Sequence, residues 1–298
     1  MSSKIMVTGC SGFIGTHLAK RLIDSGFQVT GYDLNASLIR DRNFSLVRGD
    51  ILDIEKLRNS MKGCKSVFHL AAQTKVPEST KDPIADFKTN SEGTFNVLSV
   101  AKEHNAKVVY ASTSTVYGAA DMPTKESHQL RPASFYGASK AAGDVYCSAF
   151  NSTFELDTVV LRIFNTYGPG NGKGVMYDLF KKLELDTTHL EIIGTGLQEK
   201  DYIYIDDTVE AFMTAYEKGV SGEAYNVGSG VSTTVNEIAE IIFDTLDACP
   251  KTTYTGESWI GDVESSLADI SKLQKLGWHP KVSIKEGIEK VYEWMKLI

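Results

Sequence analysis

Short apolar runs rich in β-branched residues alternate with amphipathic stretches through the first half of the chain. Residues 4–8, 28–33, 45–47, 66–72, 107–112 and 158–164 read as strands. Between them, residues 13–24, 54–61, 86–104 and 134–150 read as helices. Ile14, Leu18 and Leu22 mark the first helical stripe, which stops at Gly26. Strands that alternate with helices predict right-handed βαβ units on a parallel sheet. The strands are apolar along most of their length, as expected where helices cover both faces. After Asn165 the rhythm changes: a stretch holding Gly168, Pro169, Gly170, Gly172 and Gly174 leads into shorter mixed elements. This pattern predicts an α/β fold in two parts. Residues 1–165 form the main sheet. Residues 166–298 form a smaller lobe that walls a cleft, with some of its segments packing back on the sheet.

The first strand runs into Thr8-Gly9-Cys10-Ser11-Gly12-Phe13-Ile14-Gly15, which opens the first helix. Gly9 permits a tight strand-to-helix turn, Gly12 a close backbone approach to a pyrophosphate, and Gly15 close packing of the helix. The helix N-terminus offers N–H groups and a positive dipole end to an anion. Asp33 ends the second strand, 24 residues after Gly9. A carboxylate there accepts hydrogen bonds from adenosine ribose hydroxyls and repels a 2′-phosphate, so NAD is expected rather than NADP. Asp50, after the third strand, is placed either to meet the adenine or to cap the next helix.

Tyr136 and Lys140 stand four apart and share one face of a helix. A free tyrosine, with a pKa near 10, is a poor base at neutral pH. A lysine cation about 5 Å away favours the phenolate by roughly 3 kcal/mol, or about two pKa units. Such a phenol could accept a proton from a sugar hydroxyl and return it. The strand at 107–112 continues into hydroxyls at Ser112, Thr113, Ser114 and Thr115, at the strand end that faces the ligand crevice of an open α/β sheet.

Charge and composition narrow the partners. The chain has 298 residues, 42% of them hydrophobic, with a net charge of −7. That sign does not attract nucleic acid or anionic lipid non-specifically, so an anionic ligand needs local help. No apolar run is long enough to span a bilayer, and no leader pattern precedes the first strand. Cys10, Cys64, Cys147 and Cys249 are scattered, with no pair at metal-ligand spacing, as in a reduced cytoplasmic protein without a metal.

These motifs together resemble the extended short-chain dehydrogenase/reductase family, in its NAD-dependent epimerase/dehydratase branch. The likeness extends over nearly the whole chain. It includes His69-Leu70-Ala71-Ala72-Gln73, Asn90-Ser91-Glu92-Gly93-Thr94, Arg162 through Gly170, Asp201 through Asp207, Asn226-Val227-Gly228, and Gly261-Asp262 before Ala268-Asp269. The resemblance implies a Rossmann, doubly wound parallel sheet with a C-terminal α/β substrate lobe. It implies that Tyr136 is the acid/base, Lys140 its ribose-binding partner and Thr113 the catalytic hydroxyl. Gly9, Gly12, Phe13, Ile14, Gly15, Asp33, Asp50, Ile51, Leu70, Ala71, Ala72, Asn90 and Phe164 would line NAD. Asn165, Lys200 and Asp262 would hold the nucleotide of a nucleotide-diphosphate sugar, UDP foremost.

The family's 4,6-dehydratases carry Asp-Glu where this chain has Ser114 and Thr115, and its UDP-glucuronate decarboxylases carry Glu at the second of these positions. Without a carboxylate there, the resemblance implies a 4-epimerase acting on UDP-glucose and UDP-galactose. Ser266 falls where a large residue excludes N-acetyl groups, so the N-acetyl forms are expected too. Two positions depart from the family's arginines: Lys200 keeps the charge without the bidentate fork, and Trp259 loses it. The helices at 86–104 and 134–150 correspond to the family's four-helix dimer interface, so a homodimer is expected.

Overall fold

A computed structural model describes residues 3–256 and 265–298. The first part builds β1 (Lys4–Thr8), α1 (Phe13–Asp24), β2 (Gln28–Asp33), β3 (Phe44–Arg48), α2 (Ile54–Met61) and β4 (Cys64–His69). It continues with α3 (Val76–Lys81), α4 (Pro83–Asp86), α5 (Gly93–Glu103), β5 (Lys107–Thr113), α6 (Phe135–Phe154) and β6 (Thr158–Ile163). The second part adds β7 (Asn165–Tyr167), α7 (Val175–Leu185), β8 (His189–Ile192), β9 (Glu199–Tyr204), α8 (Ile205–Lys218) and β10 (Ala224–Val227). It closes with β11 (Ser232–Thr234), α9 (Val235–Leu246), β12 (Lys251–Tyr254), β13 (Ser265–Ser266), α10 (Ser271–Gln274) and α11 (Ile284–Met295).

The main sheet has seven parallel strands in the order β3-β2-β1-β4-β5-β6-β10. The chain winds outward in both directions from β1 and β4, and the crevice beyond the carboxyl ends of these two strands is where such sheets bind ligands. Strand alternation divides the core. Ile5 and Val7 of β1 face Leu18 and Leu22 of α1 and Phe212 of α8. Met6 turns to the other face, with Leu57 of α2, Val97 of α5 and Cys147 of α6. Leu18 and Leu22 are fully buried, which stabilises the helix–sheet contact by about 1.5–3 kcal/mol each.

Two features differ from the pattern read in the sequence. The segment 86–104 is not one α-helix: Phe87–Glu92 winds as a π-helical turn between α4 and α5. That turn buries Asn90, and π turns concentrate at functional sites. The strand read over 66–72 leaves the sheet at His69, so Leu70, Ala71 and Ala72 form a loop at the crevice. From the second part, β10 joins the main sheet beside β6, pairing Ala224 with Val160 and Val227 with Ile163. Helix α8 packs on α1, and Phe212 and Tyr216 reach Phe68 with ring centroids 6.2 and 5.4 Å away.

The rest of the second part forms a four-stranded sheet of β11, β9, β13 and β7, and a β12-β8 pair. Among the described residues, no helix is long and apolar enough to cross a membrane, and no His/Cys/Asp/Glu cluster could hold a metal.

Candidate active site

The glycine loop is shaped by close backbone approaches. Gly9 has φ +72°, and a Cβ there would lie 2.7 Å from the Ala71 nitrogen and the Leu70 carbonyl carbon. At Gly15 a Cβ would lie 2.0 Å from the Gly9 carbonyl oxygen. The loop is therefore pressed between α1 and the 70–72 loop, and no side chain fits at either point. Gly12 caps α1 without a side-chain hydrogen bond, so the first N–H groups of the helix remain available to an anion. Asp33 holds the loop from the other side. Its Oδ2 accepts from Ser11 N–H at 2.9 Å and its Oδ1 from Asn35 N–H at 2.9 Å. Each oxygen keeps a lone pair for a ribose hydroxyl.

The other residues expected to line the cofactor follow successive strand ends. Asp50 and Ile51 come after β3, Leu70 to Ala72 after β4 and Phe164 after β6, with Asn90 entering from the π turn. Phe13 and Ile14 start α1. Asp50 does not cap α2; its Oδ1 accepts from Leu52 N–H at 3.0 Å, and Asp53 caps the helix through Lys56 N–H at 3.1 Å. This cradle fits the pyrophosphate and ribose of NAD.

Beneath the loop runs a buried hydrogen-bond relay. His69 Nδ1 lies 2.7 Å from Thr8 Oγ1, and His69 Nε2 lies 3.0 Å from Thr94 Oγ1. Thr94 donates its proton to the Asn90 carbonyl, so its oxygen accepts from His69 Nε2–H. Nδ1 then accepts from Thr8, whose oxygen in turn takes the Leu70 and Ala71 N–H groups, both at 3.2 Å. Burial, aided by Lys140, pushes the His69 pKa down to about 3, so the ring is neutral.

Asn90 extends the network. Its amide donates to Gln73 O at 3.0 Å, Asp86 Oδ1 at 3.1 Å and Ser139 Oγ at 3.0 Å. Ser139 donates to the carbonyl of Tyr136 at 3.0 Å. The sequence motifs alone assign no role to Thr8, His69, Thr94, Gln73 or Asp86. For Thr8 and His69 the signal is a polar residue at the end of an otherwise apolar strand.

Helix α6 begins at Ser134, whose Oγ accepts from Gly137 N–H at 3.1 Å. This cap places Tyr136 in the first turn and Lys140 one turn on. Tyr136 N–H donates to Ser79 Oγ at 3.1 Å. Thr113, at the end of β5, lies near enough to the Tyr136 phenol to favour its ionised form. Thr115 donates both its N–H (3.3 Å) and its hydroxyl (3.2 Å) to Thr113 Oγ1, leaving the Thr113 proton for the phenol.

The electrostatics correct one expectation. Tyr136 is not drawn toward neutrality by Lys140. Burial pushes the phenol up to about 12, Thr113 opposes the rise and the Asp86 carboxylate adds to it. The physical reason is where the ammonium rests: Lys140 Nζ lies 4.2 Å from the centroid of the Tyr110 ring. Burial lowers the Lys140 pKa to about 8, against the pull of Asp144, Cys147 and Asp86.

Across the crevice, a cavity of about 300 Å³ is lined by residues that include Asn165, Lys173, Tyr177, Lys200 and Tyr202. Asn165 also donates to the Asp201 carbonyl at 3.0 Å, tying β7 to β9. Ser266 is the register partner of Lys200 on β13. Asp262 and Trp259 lie outside the described residues.

The NAD dependent epimerase/dehydratase family matches residues 5–228. The chain is 33% identical to the UDP-glucose 4-epimerase of Mycolicibacterium smegmatis, over 98% of both sequences. It is also 33% identical to a dTDP-glucose 4,6-dehydratase of an Actinoplanes species, over 98% of both. The crystal structure of Thermotoga maritima UDP-glucose 4-epimerase with UDP-glucose superposes with a TM-score of 0.91, at 32% identity and 99% coverage of each chain. The chain belongs to the NAD-dependent epimerase/dehydratase family; it is an enzyme, and NAD is its cofactor.

Proposed function

We propose that this enzyme is a UDP-sugar 4-epimerase, interconverting UDP-glucose with UDP-galactose and the corresponding N-acetylhexosamines through a transient 4-keto sugar. The observation that carries the reading is the pair of hydroxyls at the end of β5. Thr115 stands where an eliminating or decarboxylating relative needs a carboxylate, and it is instead a donor to Thr113. The centre then has one acid/base group, Tyr136, and one hydroxyl that orients it. That set suffices to remove and return a single proton.

A bound oxidised nicotinamide would supply a hydride acceptor and donor for carbon 4 and a positive charge beside the phenol. Tyr136, ionised under that charge, takes the proton of the 4-hydroxyl as the carbonyl forms. Thr113 donates to the same oxygen. Lys140 holds the ribose and balances the phenolate. After the flat ketone turns over, Tyr136 gives the proton back to the oxygen on the opposite face. Asn165, Lys200 and Asp262 hold the nucleotide, and the small Ser266 leaves room for an N-acetyl group.

Purified enzyme is expected to interconvert either sugar pair with no added cofactor, followed by chromatography of the equilibrated products. Tyr136→Phe should keep its NAD and lose turnover by about a thousandfold, within the range of a positioned acid/base group. Irreversible loss of water or carbon dioxide, or stoichiometric consumption of NADH, would replace this reading with a dehydratase, a decarboxylase or a ketoreductase. We also infer a homodimer through the outer faces of α5 and α6, where Phe95, Val145 and Phe154 are exposed. A monomer by light scattering at micromolar concentration would exclude it.

A further inference from the structure

Lys140 is 2% exposed, and a buried cation needs a partner. Asp144, one turn along α6, favours the charged amine through space but makes no salt bridge with it. Asp144 Oδ2 is taken by Arg162 Nε at 2.7 Å, and Arg162 also reaches the Tyr117 hydroxyl at 3.1 Å. The partner is an aromatic face: the Tyr110 ring, fully buried, with Lys140 Nζ 4.2 Å from its centroid. The ring is fixed on every side. His69 stacks on it, with centroids 5.6 Å apart and planes at 27°. Its hydroxyl donates to the Lys140 carbonyl at 3.3 Å. Gly143 admits it beneath α6, since a Cβ there would lie 2.2 Å from the Tyr110 oxygen. The neutral state of His69 completes the arrangement, because a second cation beside the same ring would expel the first.

We propose that Tyr110 is a positioning residue of the catalytic centre: its ring face seats the Lys140 ammonium by a cation–π contact, held in place by His69 and by the gap at Gly143. A carboxylate in the same place would bind the ammonium tightly enough to keep it from the phenol and the ribose. A ring face holds a desolvated cation less strongly and lets it go. The inference rests on Lys140 acting as an ammonium beside Tyr136 and not on which sugar is turned over.

The groups that face Lys140 are Asp144 and Cys147 on its own helix, Asp86 from α4, Tyr110 from β5 and His69 from β4. The test compares Tyr110→Phe, which keeps the ring, with Tyr110→Met, which keeps an apolar side chain without it. In the purified holoenzyme, Tyr110→Met should lower kcat about tenfold at an unchanged substrate KM. The alkaline limb of its kcat profile should move down by about half a pH unit, as the ring no longer favours the charged amine. Tyr110→Phe should leave the limb in place.

A second readout needs no turnover. The pH at which unfolding stability of the full chain begins to rise, measured against the same variants carrying Lys140→Met, should fall in Tyr110→Met alone. The same limb and the same onset in both variants would overturn the proposal and leave Tyr110 as packing. A wild-type chain without epimerase activity would refute the assigned reaction instead, and the unfolding readout would still decide this one.

Discussion

Replacing Lys140 with Met should stabilise the cofactor-free chain at neutral pH while abolishing its chemistry. Burial lowers the Lys140 pKa from the ordinary 10.5 to about 8. The difference corresponds to about 3 kcal/mol, the cost of keeping the amine charged inside the fold. For a base whose folded pKa is depressed, the unfolded chain binds more protons between the two values. Stability therefore rises with pH from about 8 to 10.5 and is lowest below that window.

Met fills the same space without a charge, so Lys140→Met should gain about 1–3 kcal/mol at pH 7 once the lost cation–π contact is subtracted. The gain should vanish by pH 10.5. Denaturant unfolding of both proteins at pH 7 and at pH 10 measures it, and the difference between them cancels other titrations. Turnover should fall by at least about a hundredfold. A variant equally destabilised at both pH values would refute the reasoning, because the ammonium would then carry no burial cost.

Two further outcomes follow from the glycine loop and the relay beneath it. Gly15→Ala would drive a Cβ to 2.0 Å from the Gly9 oxygen, a backbone atom that cannot swing aside. It should cost at least about 3 kcal/mol and remove NAD from the purified protein, read by its absorbance and melting temperature. Thr8→Val leaves Ala71 N–H and His69 Nδ1 without their partner. It should destabilise the fold by about 2–4 kcal/mol, and Thr8→Ser should restore most of the loss; a change under about 0.5 kcal/mol would mean that water replaces the hydroxyl.

The sheet was legible because periodicity survives packing. The bounds of β1, α1, β2 and α2 follow directly from where the apolar stripes and runs begin and end. The π turn was not legible. Asp86, Asn90 and Thr94 keep helical spacing whether the backbone winds by 3.6 residues or more, and only the pull of Ser139 and Gln73 on the Asn90 side chain distinguishes the two. The early end of β4 was hidden by the apolar character of Leu70, Ala71 and Ala72, which suits a covered loop as well as a strand. The spacing of Tyr136 and Lys140 put both on one face of α6. It carried no information about Tyr110, 30 residues earlier on β5, which draws the ammonium to itself.

That location sets the energetics of the catalytic pair. Catalysis needs phenolate and ammonium together; at neutral pH the cofactor-free crevice holds phenol and ammonium, because burial keeps the phenol pKa well above 7 and that of the amine at about 8. Ionising a phenol with a pKa of about 12 at pH 7 costs roughly 7 kcal/mol. Drawing the ammonium from the Tyr110 face to within about 4.5 Å of the phenol oxygen recovers about 4 kcal/mol at an effective dielectric of about 20. About 3 kcal/mol remains. A bound oxidised nicotinamide would supply further positive potential beside the ring, in the direction that favours the phenolate. Tyr136 is thus a weak acid while the crevice holds no charged ring and becomes a base when one arrives.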